Sequence, residues 1–305
     1  MFDVIIIGGG PAGITAGIYA KRSGLNVLIL EKSNVGGQVI NTYEIKNFPT
    51  YTNISGADFC ELLYTQAKAN DLEIKYEEVT SLDVTSNIKK VKTKFCEYEA
   101  KSIIFAAGTI NRQLDLENEE KFCGRGISYC AICDGNFYKD KTVCVIGGGD
   151  TAMEEAVYLG GICKKVYVIY RKDKFRAQNV LQNSLFNHIK NKGNIEIIYN
   201  AEVVKLLGEK SLSQIEIKIN NDNTKLLDVD GMFLAIGKIP DTQILSGQIA
   251  LDKDGYIIVD GNLQTNVKGV YAAGDCRQKL IRQILTACSD GAICATNANK
   301  FLKGE

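Results

Sequence analysis

The chain has 305 residues, 45% hydrophobic and 24% charged, which is enough apolar material for two cores and too much for a disordered segment. Lys plus Arg and Asp plus Glu both number 36, so the basic surplus of a nucleic-acid binder is missing. No apolar run reaches the roughly 18 residues of a membrane span, and no basic region precedes the strand-like opening MFDVIII, so the expected setting is the cytoplasm, away from membranes.

Residues 3–31, DVIIIGGGPAGITAGIYAKRSGLNVLILE, read as strand, glycine turn, helix and strand. Ile14 and Ile18 fall on one helical face, Gly24 stops the helix, and NVLIL is a second buried strand. In that setting Gly8-x-Gly10-x-x-Gly13 is a dinucleotide-binding fingerprint. Gly8 permits the tight turn, Gly10 lets the backbone approach a pyrophosphate, and Gly13 lets the helix pack on the strand. The helix N-terminus offers free N–H groups and partial positive charge to phosphates. Glu31, 23 residues after Gly8, is placed to accept ribose hydroxyls.

Residues 72–101 alternate polar and apolar and are expected to form an antiparallel meander, after which SIIFAAG (102–108) returns to a buried strand. The stretch GRGISYCAICDGNFY (124–138) then holds Cys130 and Cys133 at the spacing of a small-loop disulfide, where a thiolate is often stabilised. Asp134 follows directly. The only His, His188, lies in a separate helix-like stretch, so a partly buried Asp134 is the candidate proton carrier. Two structural cysteines or a ligand pair are the alternatives. Zinc wants a second close pair or a nearby His, and only Cys123 stands near, so no metal is expected. The other eight of the ten cysteines are expected to be free thiols.

Residues 142–172, TVCVIGGGDTAMEEAVYLGGICKKVYVIYRK, repeat the first pattern, with Ala152 as the third small residue. Counting 23 residues from Gly147 lands on Tyr170 rather than an acid, and Arg171, Lys172 and Arg176 follow. Losing the carboxylate and gaining cations exchanges ribose-hydroxyl recognition for 2′-phosphate recognition, the alternative being a solvated basic turn. The first site is expected to prefer FAD or NAD, and the second NADP. A second meander (194–229) and a return strand, GMFLAIG (231–237), complete a repeat of about 100 residues. A third buried strand, GVYAAGD (269–275), is expected to close the first domain.

The expected fold is α/β, with two Rossmann-like, three-layer dinucleotide-binding domains, the second inserted into the first. The first would comprise residues 1–113 and 243–305, the second 114–242 with the Cys pair, and the crossings near 110–116 and 238–246 would act as hinges. A redox pair between two dinucleotide motifs calls for a flavin, because hydride and dithiol chemistry do not couple directly.

GGGPAG, GGQ (36–38), KNFP (46–49), CAICDG, GGGDTA, YRKDKFRAQ and AAGDC with the following RQIL together identify a likeness. The chain resembles the low-molecular-weight bacterial thioredoxin reductases over essentially its whole length. The resemblance implies FAD in the outer domain, NADPH in the inserted one, a homodimer, and electron flow from NADPH to FAD, to a Cys130–Cys133 disulfide, to thioredoxin. It assigns FAD contacts to Gly8, Gly10, Pro11, Ala12, Gly13, Glu31, Lys32, Gly36, Gly37, Gln38, Asn47, Gly108, Gly274 and Asp275, with Arg282, Gln283 and Ile284 beside the flavin ring. It assigns NADPH contacts to Gly147, Gly149, Asp150, Thr151 and Ala152 at the phosphates and to Arg171, Lys172 and Arg176 at the 2′-phosphate. The family more usually has Arg at the Lys172 position; Lys keeps the charge without the planar fork. A glutathione-reductase type is excluded because no cysteine occurs between Met1 and Phe59. The remaining rivals are a ferredoxin-dependent flavin thioredoxin reductase, in which the NADPH signatures are eroded, and a non-catalytic flavoprotein redox module.

Overall fold

The computed structural model describes residues 1–42, 45–220 and 223–305. The chain divides into two compact units, Met1–Ile110 with Ile239–Glu305, and Asn111–Lys238.

The outer unit begins with β1 (Phe2–Ile7), α1 (Pro11–Arg22), β2 (Val27–Glu31), α2 (Gly56–Ala69), β3 (Glu73–Tyr76), β4 (Val79–Asp83), β5 (Lys89–Thr93), β6 (Glu97–Phe105) and β7 (Thr109–Asn111). Strands β3, β2, β1 and β6 run parallel in that order, with β5 and β4 added antiparallel beyond β6. Val4 faces Val27 on one side and Ser102 on the other. Both sheet faces are covered, which is why VIII and VLIL are continuous apolar runs rather than alternating ones. Helix α1 opens with Gly10 at its N-cap and Pro11 in its first turn, and it closes just before Gly24, whose φ of 80° needs no Cβ.

The inserted unit continues with α3 (Glu119–Phe122), β8 (Ile127–Ser128), α4 (Ala131–Asp134), β9 (Thr142–Ile146), α5 (Asp150–Ile162), β10 (Lys165–Tyr170), α6 (Asn179–Lys192), β11 (Ile195–Tyr199), β12 (Ala201–Leu207), β13 (Gln214–Ile219), β14 (Asn223–Asp228) and β15 (Gly231–Leu234), and β16 (Lys238–Pro240) leads back into the outer unit. Its parallel sheet has the order β11-β10-β9-β15-β8. Val143, Val145 and Phe233 pack with Met153, Ala156 and Leu159 of α5 and Leu185 of α6. On the other face Cys144, Ile169 and Met232 pack with Ile215 and Ile217 of the antiparallel sheet β12-β13-β14. Strands β7 and β16, where the chain passes between the units, pair with each other.

Back in the outer unit, β17 (Val270–Ala272) pairs with β6, and α7 (Ile284–Lys303) packs on α1. Gly291 of α7 lies against the Ala12 carbonyl, where a Cβ would collide. This is a three-layer arrangement in each unit, the Rossmann-like α/β fold expected. The meanders need correction. Their first strands, β3 and β11, are not antiparallel but sit parallel at the ends of the main sheets, and only residues 79–101 and 201–228 zigzag. Each follows a crossover helix, α2 or α6, which returns the chain to run parallel; the alternation of a half-buried strand looks the same in either direction.

Candidate active site

Cys130 and Cys133 form a disulfide with a Cα–Cα separation of 5.4 Å across the short helix α4. Cys130 is half-buried and Cys133 exposed. Cys130 Sγ accepts the Cys133 amide at 3.2 Å. Ser128, at the end of β8, organises the turn: its Oγ accepts the Cys130 amide at 3.1 Å and donates to Asp134 Oδ2 at 2.7 Å. Asp134 is thereby held, half-buried, one residue beyond the disulfide. The other eight cysteines are free thiols. Burial pushes Cys60 and Cys163 up to about 11 and Cys276 up to about 12, and raises Cys144 and Cys294 as well, so these are poor nucleophiles.

Nine residues after Cys133, β9 begins and leads into the second glycine turn. Gly147 has φ 146°, and a Cβ there would strike the Ala235 carbonyl. Gly149 caps α5, and Met153 donates the helix's first bond back to its carbonyl at 3.3 Å. Asp150 accepts the backbone and side-chain N–H groups of Gln178, both at 2.8 Å, and these bonds hold its carboxyl below the usual range. Arg176 closes over the turn: its amide donates to the Gly148 carbonyl at 2.9 Å and its Nε would lie 3.3 Å from a Cβ on Gly149. Gly149, Asp150, Thr151, Arg176, Ala235 and Gly237 line an open cleft of about 270 Å³. Phe175 stacks on Tyr170 at 5.6 Å and meets Tyr199 at a tilt at 5.0 Å, fixing the loop that carries the exposed Arg171, Lys172 and Arg176. Ala152 is fully buried against the sheet.

In the outer unit Gly8 has φ 107° and abuts the Ala106 carbonyl, while Gly13 lies under the Gly8 carbonyl; neither place has room for a Cβ. Gly10, by contrast, faces open space, as does Gly108. The first hydrogen bond of α1 runs from the Ile14 amide to the Gly10 carbonyl, so the Ala12 and Gly13 amides precede it. The buried Glu31 accepts the Gly9 amide at 2.6 Å with one oxygen and the Ser33 amide at 2.8 Å with the other. Gly36 donates to the Gly9 carbonyl at 2.9 Å, bringing Gly37 up to Gly10. Gln38 lies in the adjoining 3-10 turn, its side chain reaching the Thr109 carbonyl at 3.5 Å. Lys32 is engaged by Asp241 at 2.6 Å. Asn47 donates to the Gln283 side chain at 2.9 Å, tying the 46–49 loop to the residue that caps α7 just before Ile284. Arg282 lies over the Tyr256 ring, 4.0 Å from its centroid, with a buried Nε that has no hydrogen-bond partner among the described residues.

A model of the pyridine nucleotide-disulphide oxidoreductases matches residues 2–291. The chain belongs to the pyridine nucleotide-disulphide oxidoreductase family. It is 40% identical over 306 residues to a thioredoxin reductase of Rickettsia conorii, covering 98% of this chain and 97% of that one. A thioredoxin reductase of Listeria innocua is 38% identical over 305 residues, covering 99% and 94%. The crystal structure of Lactococcus lactis thioredoxin reductase, in its FR conformation, matches with a TM-score of 0.89 at 36% identity over 100% of both chains. Like other members of this family, the chain is an oxidoreductase working with a flavin and a nicotinamide cofactor.

Sequence reasoning missed Ser128, Glu155 and the cluster on Asp290. Asp290 is buried on α7, where it accepts the Gly274 amide at 3.0 Å, Arg277 at 2.6 and 2.9 Å, and Lys279 at 2.7 Å. This fixes the turn that carries Gly274 and Asp275. An acid inside a helix carries no such signal in one sequence, because it reads as part of a solvated face.

Proposed function

We propose that this oxidoreductase is a thioredoxin reductase that moves electrons from NADPH through FAD and the Cys130–Cys133 disulfide to oxidised thioredoxin. The observation that carries the reading is the accessible disulfide backed by Ser128 and Asp134, in the same unit as a glycine turn crossed by Arg176. Each turnover consumes one NADPH, one proton and one thioredoxin disulfide, and yields NADP⁺ and a dithiol.

The outer unit fits FAD. The α1 amides and the open space at Gly10 suit a pyrophosphate, Glu31 has lone pairs left for a ribose, and the buried Arg282 Nε seeks an acceptor. The cleft at Gly149, Asp150 and Thr151 fits the nicotinamide dinucleotide, with Arg171, Lys172 and Arg176 beside it for the 2′-phosphate. Bound FAD supplies the conversion of hydride to electrons for a disulfide. When the Cys130–Cys133 bond breaks, two electrons enter the pair, and Asp134, aimed by Ser128, holds or gives up a proton beside the nascent thiolate. That thiolate then attacks the partner's disulfide, and the second thiol releases the partner. The exposure of Cys133 supports a protein as substrate.

On this reading the chain works as a cytoplasmic homodimer with thioredoxin as its partner and no nucleic acid or membrane. Among the described residues no helix is long and apolar enough to cross a membrane. Anaerobic mixing of the flavin-loaded protein with NADPH is the test. Bleaching of flavin absorbance by NADPH is expected. Bleaching only by reduced ferredoxin would favour the ferredoxin-dependent rival, and none by either donor a non-catalytic module.

A further inference from the structure

Helix α5 does more than present its N-terminus to a phosphate. Five residues on from Asp150, Glu155 sits under the redox turn and is 8% exposed. Its Oε1 accepts the amide of Ala131, the fully buried residue that follows Cys130, at 3.3 Å. Its Oε2 is buried with no hydrogen-bond partner among the described residues. A buried carboxyl oxygen left without a partner calls for a reason, because neutral packing would fill the space at lower cost.

We propose that Glu155 is a positioning residue for the disulfide, anchoring the first amide of the Cys130–Cys133 turn and setting a protonatable carboxyl behind it. The inference rests on the redox reading of that pair. Burial raises the Glu155 carboxyl to about 7, so the group changes charge near neutral pH. Among the described residues no cation lowers it. On its own helix Glu154 raises it further. The redox turn presents the two sulfurs and Asp134, the last engaged by Ser128. From the following turn comes Tyr138, its phenol raised first by burial. Helix α6 offers His188, bonded to Asn194, and β11 offers Glu196, paired with Lys165 of β10; Lys192 is spent on the carbonyls of Gly160 and Gly161. Strand β9 is apolar there.

Opening the disulfide takes two electrons from the reduced flavin and one proton, giving a thiol and a thiolate. An ionised Glu155 opposes the new negative charge and a protonated one does not. Above about pH 7, reduction therefore draws a further proton from solvent onto Glu155, and the carboxylate that has not yet taken one up holds the thiolate fraction down.

The test is the pH profile of thiol reactivity in the flavin-loaded protein. The pair is reduced with dithiothreitol, and alkylation of Cys130 and Cys133 by iodoacetamide is followed by mass spectrometry in wild type, Glu155→Gln and Glu155→Asp. Wild type and Glu155→Gln should coincide well below neutrality. Above neutrality Glu155→Gln should react about three- to tenfold faster, the size expected of a half to one unit in thiol pKa. Glu155→Asp should keep an inflection of its own, so the idea stays testable if the Gln variant does not fold. Coincident Gln and wild-type profiles at every pH, an Asp profile without inflection, or a constant ratio across the range, as a purely structural role gives, would overturn the proposal. Chemical reduction keeps this separate from the proposed function, which fails if NADPH leaves the pair oxidised.

Discussion

Gly9 donates its amide to the Glu31 carboxylate at 2.6 Å, whereas at the matching place in the inserted unit Gly148 lies against the ring of Tyr170. One turn ends on an acid that suits ribose hydroxyls, and the other on an aromatic wall followed by cations. Replacing Arg171 and Arg176 together with Ala should therefore raise the NADPH KM and leave NADH little changed. Two charge-assisted contacts at about 1.5–3 kcal/mol each make the loss roughly a hundredfold or more. The ratio of kcat/KM for the two cofactors checks this, and equal use of both by the unmutated enzyme would contradict it.

Gly10 and Gly13 should separate binding from folding. A Cβ on Gly13 falls on the Gly8 carbonyl, so Gly13→Ala is expected to cost about 1–3 kcal/mol through forced backbone shifts. Gly10 has φ −72° and open space around its Cβ direction, so Gly10→Ala should fold normally yet lose flavin. Thermal unfolding and the flavin-to-protein absorbance ratio measure the two effects.

Asp290 should be a stability residue with a defined pH window. Burial alone would raise its carboxyl, but Arg277 and Lys279 outweigh burial and hold it below the usual range. A lowered folded value means the contribution is complete above the unfolded value of about 3.9 and is lost as pH falls through the folded one. Asp290→Ala takes the carboxylate away from the part-buried Arg277 and the more deeply buried Lys279 and should cost about 3 kcal/mol near neutrality. Urea unfolding of wild type and Asp290→Asn should show a gap that narrows toward acid pH.

Mass spectrometry after alkylation under native conditions should find one disulfide, Cys130–Cys133, and eight free thiols. Cys96 and Cys123, both exposed, should react first, and Cys144, Cys276 and Cys294 should stay unmodified until the protein unfolds. A pairing that includes Cys123 or Cys276 would contradict the structure.

The turns were legible because their chemistry is local. Gly8 and Gly147 need positive φ, Gly13 needs contact with a carbonyl, and buried parallel strands leave unbroken apolar runs. The Cys130–Cys133 spacing was legible for the same reason. The direction of β3 and β11 was not, since helices far from those strands decide it. Nor were the burial of Glu155 and Asp290 or the bond from Ser128 to Asp134, which arise only when separate elements pack.

The central claim is that NADPH electrons leave through Cys130 and Cys133 to thioredoxin. Its most direct test is NADPH oxidation by the flavin-loaded enzyme with a panel of oxidised thioredoxins, in wild type, Cys130→Ser and Cys133→Ser. Wild type should turn over with thioredoxin, while both variants should still bleach their flavin with NADPH yet reduce no thioredoxin. Undiminished thioredoxin reduction by either variant, or NADPH oxidation by wild type that no thioredoxin accelerates, would contradict it.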